Sequence, residues 1–268
     1  MKLTIVDAKN EKKGEVELPL QFSEAVRADL IARAVVSLQA NKRQPYGAKS
    51  DAGLRASADV SKRRKNYRGS YGIGISRVPR KVMSRSGTRM NWVGAEAPGT
   101  VGGRRAHPPK AEKELGKKIN EKERKKALRS AIAATVVKDV VGSRGHIVPE
   151  AYPFVVDKAV EGLAKTKDVV GMLTQFGFSD ELGRASQKNV RAGKGKTRGR
   201  KYTRRVGPLF VVSGKSKLMD AAKKIPGVDV IDVKNLNAEL LAPGAQAGRA
   251  TLWSSAALEK MEKEKLFL

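Results

Sequence analysis

A chain of 268 residues with 40% hydrophobic content can bury a sizeable core in one or two domains, so it is not disordered throughout. Its 55 Lys and Arg against 27 acids give a net charge of +28, which repels itself in a compact state unless a polyanion neutralises it: nucleic acid first, an anionic membrane surface second. The lack of cysteine excludes disulfides, Cys-based zinc sites and a thiol nucleophile, and His107 and His146 lie too far apart in sequence for a His-rich metal site.

No apolar run approaches the roughly 18–20 residues of a membrane helix. The first residues, "MKLTIVDAKNEKKGEVEL", lack the apolar centre of a signal peptide. A cytosolic protein is expected.

Residues 2–7, "KLTIVD", read as a first strand. "EVELPL" at 15–20 reads as a short second one, with Pro19 limiting it to an edge or an end. "SEAVRADLIARAVVSLQANKR" follows as a helix, with Ser23 as N-cap and Glu24 in the first turn. Its apolar stripe is Val26, Leu30, Ala34 and Leu38 with Ile31 and Val35.

Regularity then stops from about 42 to 106. The segment holds sixteen Lys or Arg and three acids, Asp51, Asp59 and Glu96. Structureless loops above about 12–15 residues are usually functional or disordered, and this one is far longer.

Order returns after Pro109. "NEKERKKALRSAIAATVVKDVV" reads as a helix capped by Asn120, with Leu128, Ala131, Ile132, Thr135 and Val136 on one face. Residues 153–178 alternate short strand-like and helix-like pieces. A second acid-free stretch, Arg184 to Arg205, carries ten basic residues in 22. "VGPLFVVS" is a buried-strand signal, and "GKSKLMDAAKKI" is a helix capped by Ser213. "VDVIDV" is a strand, and "NAELLA" a short helix capped by Asn237. "RATLWSSAALEKMEKEKL" is a strand and a terminal helix capped by Ser254 or Ser255. Short apolar strands alternating with amphipathic helices point to an α/β layer fold with a mainly parallel sheet.

The apparent catalytic motifs fail. "GKS" at 214–216 follows a strand, but a phosphate-binding loop needs a glycine five positions before Gly214, where Leu209 stands. "GIG" at 72–74 lacks the third glycine of a dinucleotide fingerprint, and Pro79 blocks an immediate helix. His107 has no carboxylate or nucleophile nearby in sequence, so hydrogen bonding or stacking on RNA is favoured over catalysis. His146 reads as a turn or surface residue. No paired-carboxylate site stands out, and no cofactor or metal is expected.

The basic segments hold the residue types that RNA recognition requires. Lys and Arg neutralise phosphates, and Arg forks grip them bidentately. Glycine admits close backbone approach, and Tyr46, Tyr67, Tyr71 and Trp92 can stack on unpaired bases. Such a segment buries no core of its own and orders on a polyanion.

"VGGRRAHPPK" (101–110), preceded by "RVPR" (77–80) and "QPYGAKSDAGLRAS" (44–57), resembles the fourth protein of the large ribosomal subunit, the universal "L four" family, in its archaeal and eukaryotic-like form. "RAGKGKTRGRKYTRRVGPLFVVS" (191–213) is similar to that family's second signature, and the resemblance covers essentially the full length. It implies a Rossmann-like three-layer globular domain, 1–41 with 107–268, and one very long extended loop, 42–106, that penetrates ribosomal RNA. The tip, placed at about 61–75, would line the nascent-peptide exit tunnel. Arms of about 32 residues at roughly 3.3 Å each span up to about 100 Å.

On that resemblance, Lys42, Arg43, Arg55, Arg63, Arg64, Arg68, Arg77, Arg80, Arg104, Arg105 and His107 would contact RNA along the loop. Arg198, Arg200, Lys201, Arg204 and Arg205 would clamp it at the globular surface. Arg63, Arg64, Asn66, Tyr67, Arg68 and Tyr71 would line the tunnel, and Gly102, Gly103, Pro108 and Pro109 would shape the returning arm. The implied partners are large-subunit ribosomal RNA with its Mg ions, neighbouring ribosomal proteins and the nascent polypeptide. No membrane, small-molecule substrate or homo-oligomer is expected, and the location is the cytoplasmic large subunit. The rivals are a free messenger-RNA repressor, an RNA-modifying enzyme with a Rossmann-like core and a DNA-compacting protein.

Overall fold

The computed structural model describes residues 1–268 and divides into two units, Met1–Lys42 with Gly116–Leu268 and Arg43–Leu115. The first unit is built on a six-stranded sheet of β1 (Lys2–Val6), β2 (Lys12–Glu17), β5 (Val155–Val156), β8 (Leu209–Val212), β9 (Asp229–Asp232) and β10 (Thr251–Ser254). The order is β2-β1-β5-β10-β8-β9; β2 runs antiparallel to β1 and all other pairs are parallel.

Strands buried on both faces carry continuous apolar runs. All four residues of β8, "LFVV", and of β10, "TLWS", are buried. Leu209, Val211 and Trp253 join one core with helices α1 (Ala28–Asn41), α2 (Glu121–Ala134), α7 (Ala238–Leu241) and α8 (Ser255–Lys263). Phe210, Val212 and Leu252 join a second core with α3 (Lys138–Ser143), α4 (Thr166–Gln175) and α6 (Lys217–Ala222). The alternation of strand side chains therefore divides the two cores between the sheet's two faces. Edge strand β2, "KKGEVE", is mostly exposed, and its lysines discourage further pairing.

The first helix starts four residues later than its sequence suggests. Ser23 is no cap: it closes a 3-10 turn by donating to Leu20 C=O at 2.7 Å, and residues 24–27 run outside any helix. Ser130 Oγ holds that segment, accepting from Arg27 N–H at 2.6 Å and donating to Ala25 C=O at 2.9 Å. Glu24 consequently lies outside α1 and accepts from Arg129 Nε at 2.9 Å.

The helix expected over 120–141 splits into α2 and α3. Asn120 occupies the cap position of α2, but its side chain makes no capping bond. The break falls at Thr135, Val136 and Val137, a β-branched run. Thr135 Oγ1 donates back to Ile132 C=O at 2.7 Å and accepts from Trp253 Nε1 at 3.3 Å. Tyr152 Oη donates to the Thr135 carbonyl, and burial pushes its pKa up.

The sequence suggests three other caps. Asn237 caps α7, its Oδ1 accepting from Leu240 N–H at 2.9 Å. Ser254 occupies the cap position of α8 without a side-chain capping bond. Ser213 does not cap α6, whose cap position is Ser216.

His146 is neither at the surface nor in a free turn. It is 6% exposed, and its Nδ1 lies 2.6 Å from Glu181 Oε1. Glu181 belongs to α5 (Ser179–Ser186) and is fully buried.

The second unit contains a hairpin of β3 (Arg80–Ser86) and β4 (Arg89–Gly94), closed through Gly87 at φ 58°. β3 shows no strand period because most of it is exposed, while β4 alternates between exposed and half-buried residues with Met90 and Trp92 as its half-buried side chains. Turns and single bridges, Asp59 with Arg80 and Ser61 with Gly69, make up much of the rest. Ala95 is its one buried apolar side chain.

Candidate nucleic-acid interface

The second unit exposes cations with few acids to pair them. Arg43, Arg55, Arg63, Arg64, Arg77, Arg104, Arg105 and His107 are exposed, while Arg68 and Arg80 are half-buried. Asp51 alone among this unit's carboxylates forms ion pairs, with Arg55 at 2.9 Å and Lys49 at 3.8 Å. Arg80 is an internal brace. It donates to Ser76 C=O at 2.7 Å and Ser76 Oγ at 2.9 Å, and lies 5.3 Å from the Trp92 ring centre.

Three aromatic rings of this unit already hold a cation. Arg77 sits 4.4 Å from the Tyr71 ring centre, and Arg68 and Arg85 sit 5.4 and 5.5 Å from that of Tyr67. Such contacts fix guanidinium groups on an otherwise coreless chain. Asn66 is exposed, and its Oδ1 accepts from Tyr67 N–H at 2.9 Å.

The returning arm turns tightly at residues 95–104. Arg104 N–H donates to Glu96 C=O at 3.2 Å and Gly103 N–H to Thr100 C=O at 3.1 Å. A Cβ on Gly103 would lie 2.0 Å from the Ala97 carbonyl oxygen, so only glycine fits. Gly102 needs glycine for a different reason, its φ of 74°. Gly53, which sequence reasoning passed over, has φ 80° and lies against the Arg104 backbone, where a Cβ would be 2.5 Å away. Pro109 C=O accepts from Ala48 N–H at 2.9 Å, joining the outgoing and returning arms; neighbouring Pro108 is exposed.

The first unit presents a separate basic hairpin, β6 (Lys188–Val190) with β7 (Tyr202–Arg204). Between its strands a 3-10 turn covers Lys194–Arg198, bounded by Gly193 and Gly199, both at positive φ. Arg198, Arg200, Lys201, Arg204 and Arg205 are all exposed. Lys188 Nζ lies 3.7 Å from the Tyr202 ring centre. Lys42 is set apart from these, because its ammonium pairs with Glu239.

Buried charges root this hairpin, and sequence reasoning missed them. Arg184 starts the basic stretch but points inward. It grips Glu181 bidentately at 2.5 and 2.8 Å and donates to Val206 C=O at 2.7 Å. Arg249, 1% exposed, donates to Gly207 C=O at 2.9 Å, Leu240 C=O at 3.1 Å and Asp229 Oδ2 at 2.5 Å. Both ends of the hairpin are therefore fixed to the sheet domain while its cations face solvent.

Burial raises the Glu181 pKa, but hydrogen bonds from Arg184, His146 and Ile147 N–H outweigh it and hold the carboxyl at about 2. Burial lowers the His146 pKa, with Arg184 and Arg144 adding positive charge nearby. Burial likewise lowers that of Arg249, against the attraction of Asp229.

No group of three or more His and carboxylate side chains gathers to hold a metal ion. No helix is long and apolar enough to cross a membrane.

The sequence profile of the Ribosomal protein L4/L1 family matches residues 16–264. Large ribosomal subunit protein uL4 of Nanoarchaeum equitans is 48% identical over all of both chains. The protein of that name from Methanococcoides burtonii is 48% identical over 96% of each chain. That of Halobacterium salinarum is 43% identical over 97% of this chain and 99% of its own. A profile match over residues 16–264 and relatives 43–48% identical over nearly the whole of both chains place this chain in the Ribosomal protein L4/L1 family.

Proposed function

We propose that this chain is a structural, non-catalytic constituent of the large ribosomal subunit in the cytoplasm, and that it binds the subunit's ribosomal RNA. The observation that carries the reading is the mismatch inside Arg43–Leu115. This unit buries one apolar side chain, Ala95, and its only ion-paired carboxylate is Asp51. Chain-ordering entropy of about 1–2 kcal/mol per residue has no matching burial there, so the order must come from a polyanion.

In this reading the sheet domain is Rossmann-like and stays at the particle's periphery. Residues 42–106 run as an extended loop into the RNA, with residues 61–75 at the tip along the exit tunnel and near the nascent polypeptide. Arg43, Arg63, Arg64, Arg77, Arg104 and Arg105 contact phosphates there, some through Mg ions held by the RNA. Arg198, Arg200, Lys201, Arg204 and Arg205 clamp a second RNA segment. Neighbouring ribosomal proteins complete the surroundings of a single copy. The enzyme reading loses its one foothold, since the turn after β8 is filled by the Glu161 carboxylate.

Gradient sedimentation of a native lysate at low and high salt tests this. The chain should travel with the large subunit and resist moderate salt. A chain remaining at the top of the gradient overturns the reading.

A further inference from the structure

Tyr46, Arg105, His107, Pro109, Lys110 and Leu115 line an open cleft of about 650 Å³. That size lies within the ~300–1,000 Å³ of small-ligand sites. The cleft sits where the two arms of the second unit are joined by the Ala48 N–H to Pro109 C=O bond.

Its lining is unusual for this protein. Tyr67, Tyr71, Trp92 and Tyr202 each lie close to a Lys or Arg of their own chain. Tyr46, 58% exposed, has no such cation, so its ring is free to receive a planar partner. Pro109 and Leu115 supply half-buried apolar contact, and His107 an exposed second ring. Arg105, Lys110 and Lys113 outnumber the single acid of the lining, Glu112. Aromatic rings beside apolar walls under a positive rim are complementary to one unstacked base with its phosphate.

We propose that this cleft captures a single unstacked nucleotide of the RNA, its base against Tyr46 and His107 and its phosphate toward Arg105 and Lys110. The inference rests on the reading of this unit as RNA-binding and adds a base-holding site to what would otherwise be phosphate contact alone. The nucleotide would add a contact of fixed geometry where the arms leave the RNA, since non-specific phosphate contact alone permits sliding.

Two measurements test it. Intact large subunits carrying the full chain are irradiated at 254 nm, and peptide–nucleotide adducts are mapped by mass spectrometry. An adduct between one nucleotide and a peptide holding Tyr46 or His107 is expected. If other basic peptides yield RNA adducts and these yield none, the cleft is not a nucleotide site. If the chain does not sediment with the subunit at all, the ribosomal reading has failed and takes this inference with it.

The second measurement is affinity for deproteinised large-subunit RNA across a salt series. Tyr46→Ala should weaken binding about 5- to 150-fold with an unchanged salt slope, because stacking releases no counterions. Tyr46→Phe should restore binding. Arg105→Ala should reduce the slope by about one phosphate's worth. Unaltered affinity in Tyr46→Ala overturns the proposal.

Discussion

Glu161 accepts from both the backbone N–H and the hydroxyl of Ser213, at 2.9 and 2.7 Å, and so occupies the turn that follows β8. In nucleotide-binding α/β proteins a phosphate sits in the comparable turn, against free amides. Here a carboxylate of the chain itself sits there, and Lys260 donates to the Ser213 carbonyl. Glu161→Ala should leave the Ser213 amide unsatisfied and cost about 1–3 kcal/mol in urea unfolding. Glu161→Gln, which keeps one acceptor, should cost less. Neither variant should acquire nucleotide binding, as read by calorimetry with ATP, because Leu209 stands where the phosphate loop needs glycine.

Arg249 is the least replaceable cation of the sheet domain, although it touches no solvent. Its fork serves the Gly207 and Leu240 carbonyls as well as Asp229. Arg249→Met should therefore destabilise by about 2–5 kcal/mol, since the Gly207 and Leu240 carbonyls lose their donor. Arg249→Lys should recover only part, because an ammonium cannot reproduce the planar fork. Asp229→Asn should cost about 1–3 kcal/mol, because it keeps an acceptor but removes the countercharge of the buried Arg249 guanidinium. Urea midpoints read from Trp253 emission in a Trp92→Phe background separate these outcomes.

Both residues also mark what could be read from the sequence. "LFVV" and "TLW" announce buried strands because every residue is apolar or β-branched, and Asn237 announces its helix because capping is local. Ser23 misleads, since Ser130, more than a hundred residues away, holds residues 25–27 out of the helix. His146 in "RGHIVPE" looks like a surface turn because Glu181 and Arg184 arrive from another helix. β3 leaves no apolar period because most of it is exposed, and in β4 only Met90 and Trp92 mark a half-buried side. The basic segments were legible for the opposite reason: their signal is composition, which needs no partner in the chain. Which of their cations are free was not legible. Arg80, Arg184 and Lys42 are engaged internally, and only the fold shows it.

The His146–Glu181–Arg184 cluster makes stability fall in acid. Glu181 titrates near 2 when folded against an ordinary 4.5, so its contribution is complete above about 4.5 and is lost as pH falls toward 2. That difference corresponds to about 3 kcal/mol. His146 is lowered from 6.5, so the folded state favours the neutral ring, and its contribution begins to fade once pH drops below 6.5. The expected melting profile is flat above pH 7, declines between 6.5 and 4.5, and steepens below that. Glu181→Gln should lower Tm at pH 7 and remove much of the steep acid limb. A variant with the wild-type acid limb would show that other carboxylates control it.

Gly103 separates shape from stability. Its Cβ position is filled by the Ala97 carbonyl oxygen, whereas Gly102 has open space around it. Gly103→Ala must open the turn of residues 95–104 and displace Arg104 and Arg105. Binding to large-subunit RNA should fall at least tenfold, while the urea midpoint of the sheet domain stays within about 0.5 kcal/mol of wild type. Unchanged RNA affinity would mean that this turn does not position the arginines.

The two units should differ most sharply toward a protease. Trypsin needs locally opened chain with accessible Lys or Arg, and the second unit has exposed cations over almost no buried apolar surface. In the free protein, cleavage should begin at sites between Arg43 and Lys113 and leave the sheet domain's two segments associated through α1 and α2. Within the large subunit the same sites should be protected if RNA occupies them as proposed. Protection should also disappear with salt in parallel with binding. With about 6–10 phosphate contacts, affinity for duplex-like RNA should drop roughly 10³- to 10⁵-fold from 50 to 200 mM salt. Cleavage in the first unit outside its exposed basic hairpin as fast as in the second would contradict a coreless second unit. A flat salt dependence would contradict phosphate contacts as the source of its order.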